Sequence, residues 1–173
     1  MPTDFKLRPW SMDDLPSLVK YANNFNLAKN LTDRFPNPYT IEDGTTYLNM
    51  VCTATTDLVI CIEVNGEAAG SVGIHFKKDI YRKNAEIGYW LAEPYWGQGI
   101  ISRVIAKMVT RAFERNDIER VYAPVFGSNK ASQRVLEKNG FVLEGQFEKT
   151  IFKNGQFEDE LVYAVRRENW LHQ

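Results

Sequence analysis

The chain has 173 residues, 44% of them hydrophobic and 25% charged, which is enough for one globular domain with a substantial buried core. A formal net charge of -1 and a pI near 6.2 exclude a general basic field for holding nucleic acid. Two cysteines, Cys52 and Cys61, and two histidines are too few for a disulfide framework or a multi-ligand zinc site. Residues 1–173 are therefore expected to form a single domain, in a reducing compartment, without metal or nucleic acid. Met1 to Trp10 contains Asp4, Lys6 and Arg8 instead of the apolar core of a secretory signal. No stretch approaches the roughly 18 apolar residues of a membrane span, so a cytoplasmic protein with no membrane partner is expected.

Ser11-Met-Asp-Asp14 has the form of a capping box, and Leu15, Leu18, Val19 and Ala22 follow at helical spacing. A loop containing Arg34-Phe-Pro-Asn-Pro-Tyr39 leads to a second box, Thr40-Ile-Glu-Asp43, and a second helix with Tyr47, Leu48 and Val51. Leu58–Val64 and Ala68–Phe76 flank Asn65-Gly66, which suits the positive dihedrals of a tight hairpin. Ala85–Leu91 reads as the next strand, closed by Glu93-Pro94. Ile100, Ile101, Val104, Ile105, Met108, Val109, Ala112 and Phe113 then draw an apolar stripe along a long helix. Val121–Phe126 is a further strand, and Asn129–Lys138 a short helix stopped at Asn139-Gly140. Two last strands, Phe141–Phe152 and Phe157–Val165, meet at Asn154-Gly155. Arg166-Arg-Glu168 reads as a solvated tail, while Trp170 and Leu171 offer apolar surface that leaves a homodimer open.

Tyr95-Trp-Gly-Gln-Gly-Ile-Ile-Ser102 follows a strand and opens a helix, so its backbone N–H groups can converge on an anion with the helix dipole behind them. A phosphate-bearing ligand is implied. The Gly-Lys-Ser/Thr ending of a P-loop is missing, and Ser102 stands where a dinucleotide fingerprint needs its third glycine. Taken alone, Gly97 and Gly99 fit a plain tight turn equally well.

Three segments decide the context: Ala85-Glu-Ile-Gly-Tyr-Trp-Leu91, Trp96-Gly-Gln-Gly-Ile100 and Asn129-Lys-Ala-Ser-Gln-Arg-Val-Leu-Glu-Lys-Asn-Gly-Phe141. Their order and spacing resemble those of the GNAT superfamily of N-acetyltransferases. The chain looks most like the branch acting on N-terminal α-amines of ribosomal proteins, which also holds small-molecule amine acetyltransferases. The resemblance implies an α/β fold with a mixed, mostly antiparallel central sheet, a splayed central strand pair and helices on both faces.

It further implies acetyl-CoA as co-substrate and a primary amine as acceptor. Backbone groups at Tyr89, Trp90 and Leu91 would pair with the pantetheine arm. Trp96, Gly97, Gln98, Gly99, Ile100, Ile101 and Ser102 would form the pyrophosphate turn, and Asn129 and Ser132 would contact the arm or its sulfur. Trp96 and Ile101 depart from the family's usual residues, and Leu136 stands where many members carry a tyrosine acid. Glu86, on the central strand, is the candidate base acting through a water, and Ser132 the candidate partner of the departing thiolate. As a plain strand carboxylate, Glu86 would instead pair with a lysine or arginine. Phe35 and Tyr39 are candidates for lining the amine pocket, or else core aromatics. Transfer to a polyamine or aminoglycoside, and a non-catalytic acetyl-CoA sensor, remain the alternative functions.

Overall fold

The computed structural model describes residues 3–53, 58–115 and 117–171. In chain order the elements are β1 (Lys6–Arg8), α1 (Leu15–Ala22), α2 (Phe25–Ala28), α3 (Ile41–Thr53), β2 (Leu58–Val64), β3 (Glu67–Phe76) and β4 (Asn84–Leu91). After these come α4 (Ile100–Glu114), β5 (Arg120–Phe126), α5 (Lys130–Lys138), β6 (Val142–Lys153), β7 (Gln156–Arg166) and α6 (Arg167–Leu171). Among the described residues the strands form one seven-stranded sheet in the order β1-β2-β3-β4-β5-β7-β6. The β4–β5 pair is parallel, and its register covers three residues, Asn84–Glu86 against Arg120–Tyr122, near the start of both strands. By contrast, β5 pairs antiparallel with β7 along its whole length. The α/β class and the mostly antiparallel sheet are as the motifs imply. No helix of the described residues is long and apolar enough to cross a membrane.

The chain divides into two compact units, Met1–Gly73 with Tyr89–Ile101, and Ile74–Gly88 with Ser102–Gln173. In the first unit both capping boxes form. The Ser11 amide donates to Asp14 Oδ2 at 2.9 Å, and the Thr40 amide to Asp43 Oδ2 at 2.8 Å. Trp10, Leu18, Ala22, Tyr39, Leu48, Cys61 and Trp90 share one core. Gly44 lets α3 approach α1, since a Cβ there would lie 2.7 Å from Leu15 Cδ1. The β2–β3 turn has φ of +53° at Asn65 and +82° at Gly66, as Asn-Gly predicts. Strand β1 is not foreshadowed by the sequence. Three residues carrying two charges have no strand signature, and they are ordered by pairing Lys6 with Glu63, Leu7 with Ile62 and Arg8 with Cys61.

Of the predicted stripe along α4, Ile100, Val104, Ile105, Met108, Val109, Ala112 and Phe113 are buried and Ile101 is half-buried. The expectation of a solvated tail at Arg166–Glu168 is wrong for Arg167, which opens α6. Its guanidinium donates to Phe113 O at 2.6 Å, to Ile118 O at 2.8 Å and to Arg115 O. A fixed planar fork of donors reaching carbonyls at the end of α4 and in the loop after it explains this, and a charge count does not reveal it. Trp170 donates its indole N–H to Thr110 Oγ1 at 3.2 Å, while Leu171 remains 66% exposed.

Candidate active site

A short 3-10 turn, Glu93–Tyr95, connects β4 to the glycine segment, and α4 begins at Ile100. Gly97 and Gly99 have φ of +73° and +70°, in the left-handed region that L side chains rarely adopt. A Cβ on either would meet no heavy atom within 4 Å. Glycine is thus required by conformation and not by crowding, and the space beside both peptides is open for a ligand to approach the backbone. Directly after them, the first N–H groups of α4, at Ile100, Ile101 and Ser102, have no intrahelical acceptors and lie at the positive end of the helix dipole. These features fit an anionic group such as a pyrophosphate.

The side chains around the turn are engaged. Trp96 donates its indole N–H to Leu91 O at 2.6 Å, so the residue that departs from the family pattern ties the turn to the end of β4. One lone pair of that carbonyl is therefore taken, on the stretch expected to pair with the pantetheine arm. Gln98 Nε2 donates to Pro94 O at 3.0 Å, and Gln98 Oε1 accepts from Thr3 Oγ1. In β4, Trp90 packs against Phe35, whose ring also meets Tyr39, with centroids 5.7 Å and 5.1 Å apart. Tyr39 is 5% exposed, and burial pushes its hydroxyl well above the usual tyrosine range. In this arrangement Tyr39 is a core ring, and Phe35 is the more accessible of the two. The close approach of β3 to β4 depends on Gly70, where a Cβ would lie 2.5 Å from Trp90 O.

In the second unit, Glu86 Oε2 accepts from Lys77 Nζ at 2.6 Å and from Tyr122 OH at 3.1 Å. Lys77 and Glu86 are each about one-third exposed. For Lys77, burial works against the charge, but the interactions with Glu86 and Tyr122 together outweigh it and the ammonium pKa rises. Burial raises the Tyr122 hydroxyl as well. Glu86 therefore does have the cationic partner that a structural carboxylate would have, together with a phenol that could relay a proton. Asn129 is the N-cap of α5, its Oδ1 accepting from the Ser132 amide at 3.1 Å. The loop before it is pinned by buried Gln133, whose Nε2 donates to Phe126 O at 3.3 Å and Gly127 O at 3.0 Å. Ser102 Oγ accepts from Asn139 Nδ2 at 3.0 Å, so its hydroxyl serves the packing of α4 while its amide faces the helix start. Leu136 is fully buried.

The sequence carries no sign of the role of Gln133, or of Glu93, whose carboxylate accepts from Asn24 Nδ2 at 2.6 Å and Asn26 Nδ2 at 3.1 Å. Only the capping role of Asn24 on α2 carries a local signal, a polar residue just before a helical turn.

A family model described as an acetyltransferase (GNAT) domain matches residues 4–142. The ribosomal-protein-serine acetyltransferase of Escherichia coli (strain K12) is 37% identical over 82 residues, 47% of this chain and 46% of that protein. Here the chain matches about half of the relative's length. The spermidine N(1)-acetyltransferase of the same organism is 24% identical over 168 residues, 96% of this chain and 88% of that protein. A solved structure of RimL, a ribosomal L7/L12 alpha-N-protein acetyltransferase in complex with coenzyme A, is 27% identical with a TM-score of 0.83. That likeness covers 96% of this chain and 95% of RimL. With the glycine turn, the strand before it and the helix after it all inside the matched span, the chain belongs to the GNAT acetyltransferase domain family.

Proposed function

We propose that the protein is a cytoplasmic acetyl-CoA-dependent N-acetyltransferase whose acceptor is a protein N-terminal α-amine. One observation carries the acceptor: the likeness to RimL extends over nearly the whole of both chains. The donor is supported by the open glycine turn with positive φ at Gly97 and Gly99. Acetyl-CoA supplies a thioester reactive enough for direct attack by a neutral amine in a ternary complex. The protein's tasks are then positioning, proton uptake and care of the leaving group.

The amides from Gly97 to Ser102 bind pyrophosphate oxygens, and the backbone of Tyr89, Trp90 and Leu91 aligns the pantetheine arm. Glu86 takes the amine proton through a water, with Lys77 and Tyr122 fixing its carboxylate. Asn129 contacts the arm, and Ser132 donates to the departing sulfur. Phe35 contributes apolar surface on the acceptor side.

A second reading, transfer to a polyamine, is supported by the match to spermidine N(1)-acetyltransferase along nearly the whole chain. A non-catalytic sensor is supported by the buried leucine at position 136 in place of a tyrosine acid. Calorimetry with acetyl-CoA, followed by free-thiol release with ribosomal-protein N-terminal peptides, spermidine and aminoglycosides, separates the three. Binding with thiol release on peptides alone is expected. Release on spermidine alone would establish the second reading, binding without release would favour the sensor, and no binding would refute the proposal.

A further inference from the structure

Glu93 stands four residues before Gly97 and opens the 3-10 turn that leads into the glycine segment. Its carboxylate accepts from Asn24 Nδ2 at 2.6 Å and from Asn26 Nδ2 at 3.1 and 3.3 Å. These bonds, that from Asn24 first, hold the carboxyl below the usual glutamate range. The donors are themselves fixed. Asn24 Oδ1 accepts from the Asn26 amide at 2.8 Å, and the neighbouring Asn23 Oδ1 accepts from the Tyr39 amide at 3.1 Å. Two residues after Glu93, the hydroxyl of Tyr95 lies 3.3 Å from that of Tyr21, which donates to Glu67, and Lys20 Nζ holds the same carboxylate at 2.7 and 2.8 Å. With Trp96 on Leu91 O and Gln98 on Pro94 O, four side chains between Glu93 and Gln98 are each tied down.

A turn with two glycines at positive φ is intrinsically loose. Fixing each residue's backbone costs conformational entropy, and glycine loses the most freedom. Convergent N–H groups bind an anion well only if that ordering precedes binding. Trp96 anchors the turn to its own neighbour Leu91, and Gln98 to Pro94 and to the neutral hydroxyl of Thr3. The Asn24–Glu93–Asn26 clamp anchors it to the junction of α1 and α2, and it uses charge-assisted bonds.

We propose that Glu93, held by Asn24 and Asn26, is a positioning residue that presets the Gly97–Gly99 turn for a pyrophosphate-bearing ligand. This rests on the reading of that turn as the phosphate site for acetyl-CoA. A clamp of this kind acts on the phosphate end of the ligand alone, whereas general destabilisation weakens every part of binding.

The test is a calorimetric titration of the full chain and its Glu93→Ala, Glu93→Gln and Asn26→Ala variants with coenzyme A and with pantetheine, which lacks the phosphates. Glu93→Ala should weaken coenzyme A about tenfold and leave pantetheine within about twofold of wild type. Glu93→Gln, whose amide oxygen still accepts from Asn24, should recover most of the loss, and Asn26→Ala should give a smaller loss in the same direction. Equal weakening of both ligands, or unchanged affinity for coenzyme A in Glu93→Ala, would overturn the inference. If Glu93→Ala does not fold, as judged by thermal unfolding, the other two variants decide: unchanged coenzyme A affinity in Asn26→Ala refutes the clamp. A wild-type protein that binds neither ligand refutes the acetyl-CoA reading itself, a different outcome from a bound ligand indifferent to Glu93.

Discussion

Replacing Gly70 with alanine asks whether the end of β4 is where its neighbours place it. The new Cβ would sit 2.5 Å from Trp90 O and 3.2 Å from both Leu91 Cα and Leu91 Cδ1. To reach the 3.4 Å at which ordinary contact begins, the carbonyl must retreat by roughly 0.9 Å. The obstacle is backbone, so no rotamer change relieves it. The strands cannot simply separate either, because the Ala92 amide donates to Ala69 O at 2.7 Å beside the clash. Overpacking of this kind costs about 1–3 kcal/mol, and a backbone contact belongs at the upper end. At roughly 2–4 °C per kcal/mol for a chain of this size, Gly70→Ala should lower Tm by about 6–12 °C in a thermal scan. Coenzyme A affinity by calorimetry should fall as well, since the displaced backbone is the stretch proposed to align the pantetheine arm. Gly88→Ala is the control, because nothing lies within 4 Å of its Cβ, and its stability should stay within about 0.5 kcal/mol of wild type. If Gly70→Ala matched the wild-type Tm and affinity, the strand packing described here would be refuted.

Gly99→Val should lose coenzyme A affinity by at least tenfold, because a β-branched residue at a φ of +70° is strained by about 1–2 kcal/mol or more before any ligand is crowded; calorimetry that shows no change would remove the turn from the site. Glu86→Gln should reduce turnover by about a hundredfold, most at the low-pH end where the amine is more protonated, while Lys77→Met should not reproduce that pH profile. A Lys77→Met enzyme with the same loss and the same profile would mark Glu86 as purely structural. Asp14 is held below the ordinary aspartate value of 3.8: burial raises its pKa, but the bonds from Arg8 at 2.7 and 2.8 Å, the bond from the Ser11 amide and the charge of Arg8 together outweigh that. Its stabilisation is present above pH 3.8 and lost as pH falls through the lower folded value. Asp14→Asn should therefore cost about 2–3 kcal/mol in urea unfolding at pH 7, with the gap to wild type closing below pH 4; a pH-independent gap would refute the ion-pair account.

Much of the fold was legible because its signals are local. A capping box spans four residues, Asn65-Gly66 and Asn154-Gly155 need only their own dihedrals, and the stripe of α4 repeats within each turn. The glycine turn belongs to the same class, since positive φ at Gly97 and Gly99 follows from the residues themselves. Of the candidate site, the backbone conformation at Gly97 and Gly99 was legible, and the side-chain contacts were not. Trp96, unexplained in the sequence, acquires a role from a carbonyl five residues away, and Tyr39, a pocket candidate on paper, is a core ring.

The sequence by itself determined the order of the longer helices and strands, the hairpins, the positive-φ glycine turn and the family, because each is encoded within a few consecutive residues or in the spacing of short motifs. Only the tertiary structure decided what those elements touch. Asn24 and Glu93 are 69 positions apart, Arg167 and Phe113 54, and Arg8 and Glu63 55. Such partners are selected by where the packed elements come to rest, and a charged or amide side chain accepts many partners equally well until packing leaves it one.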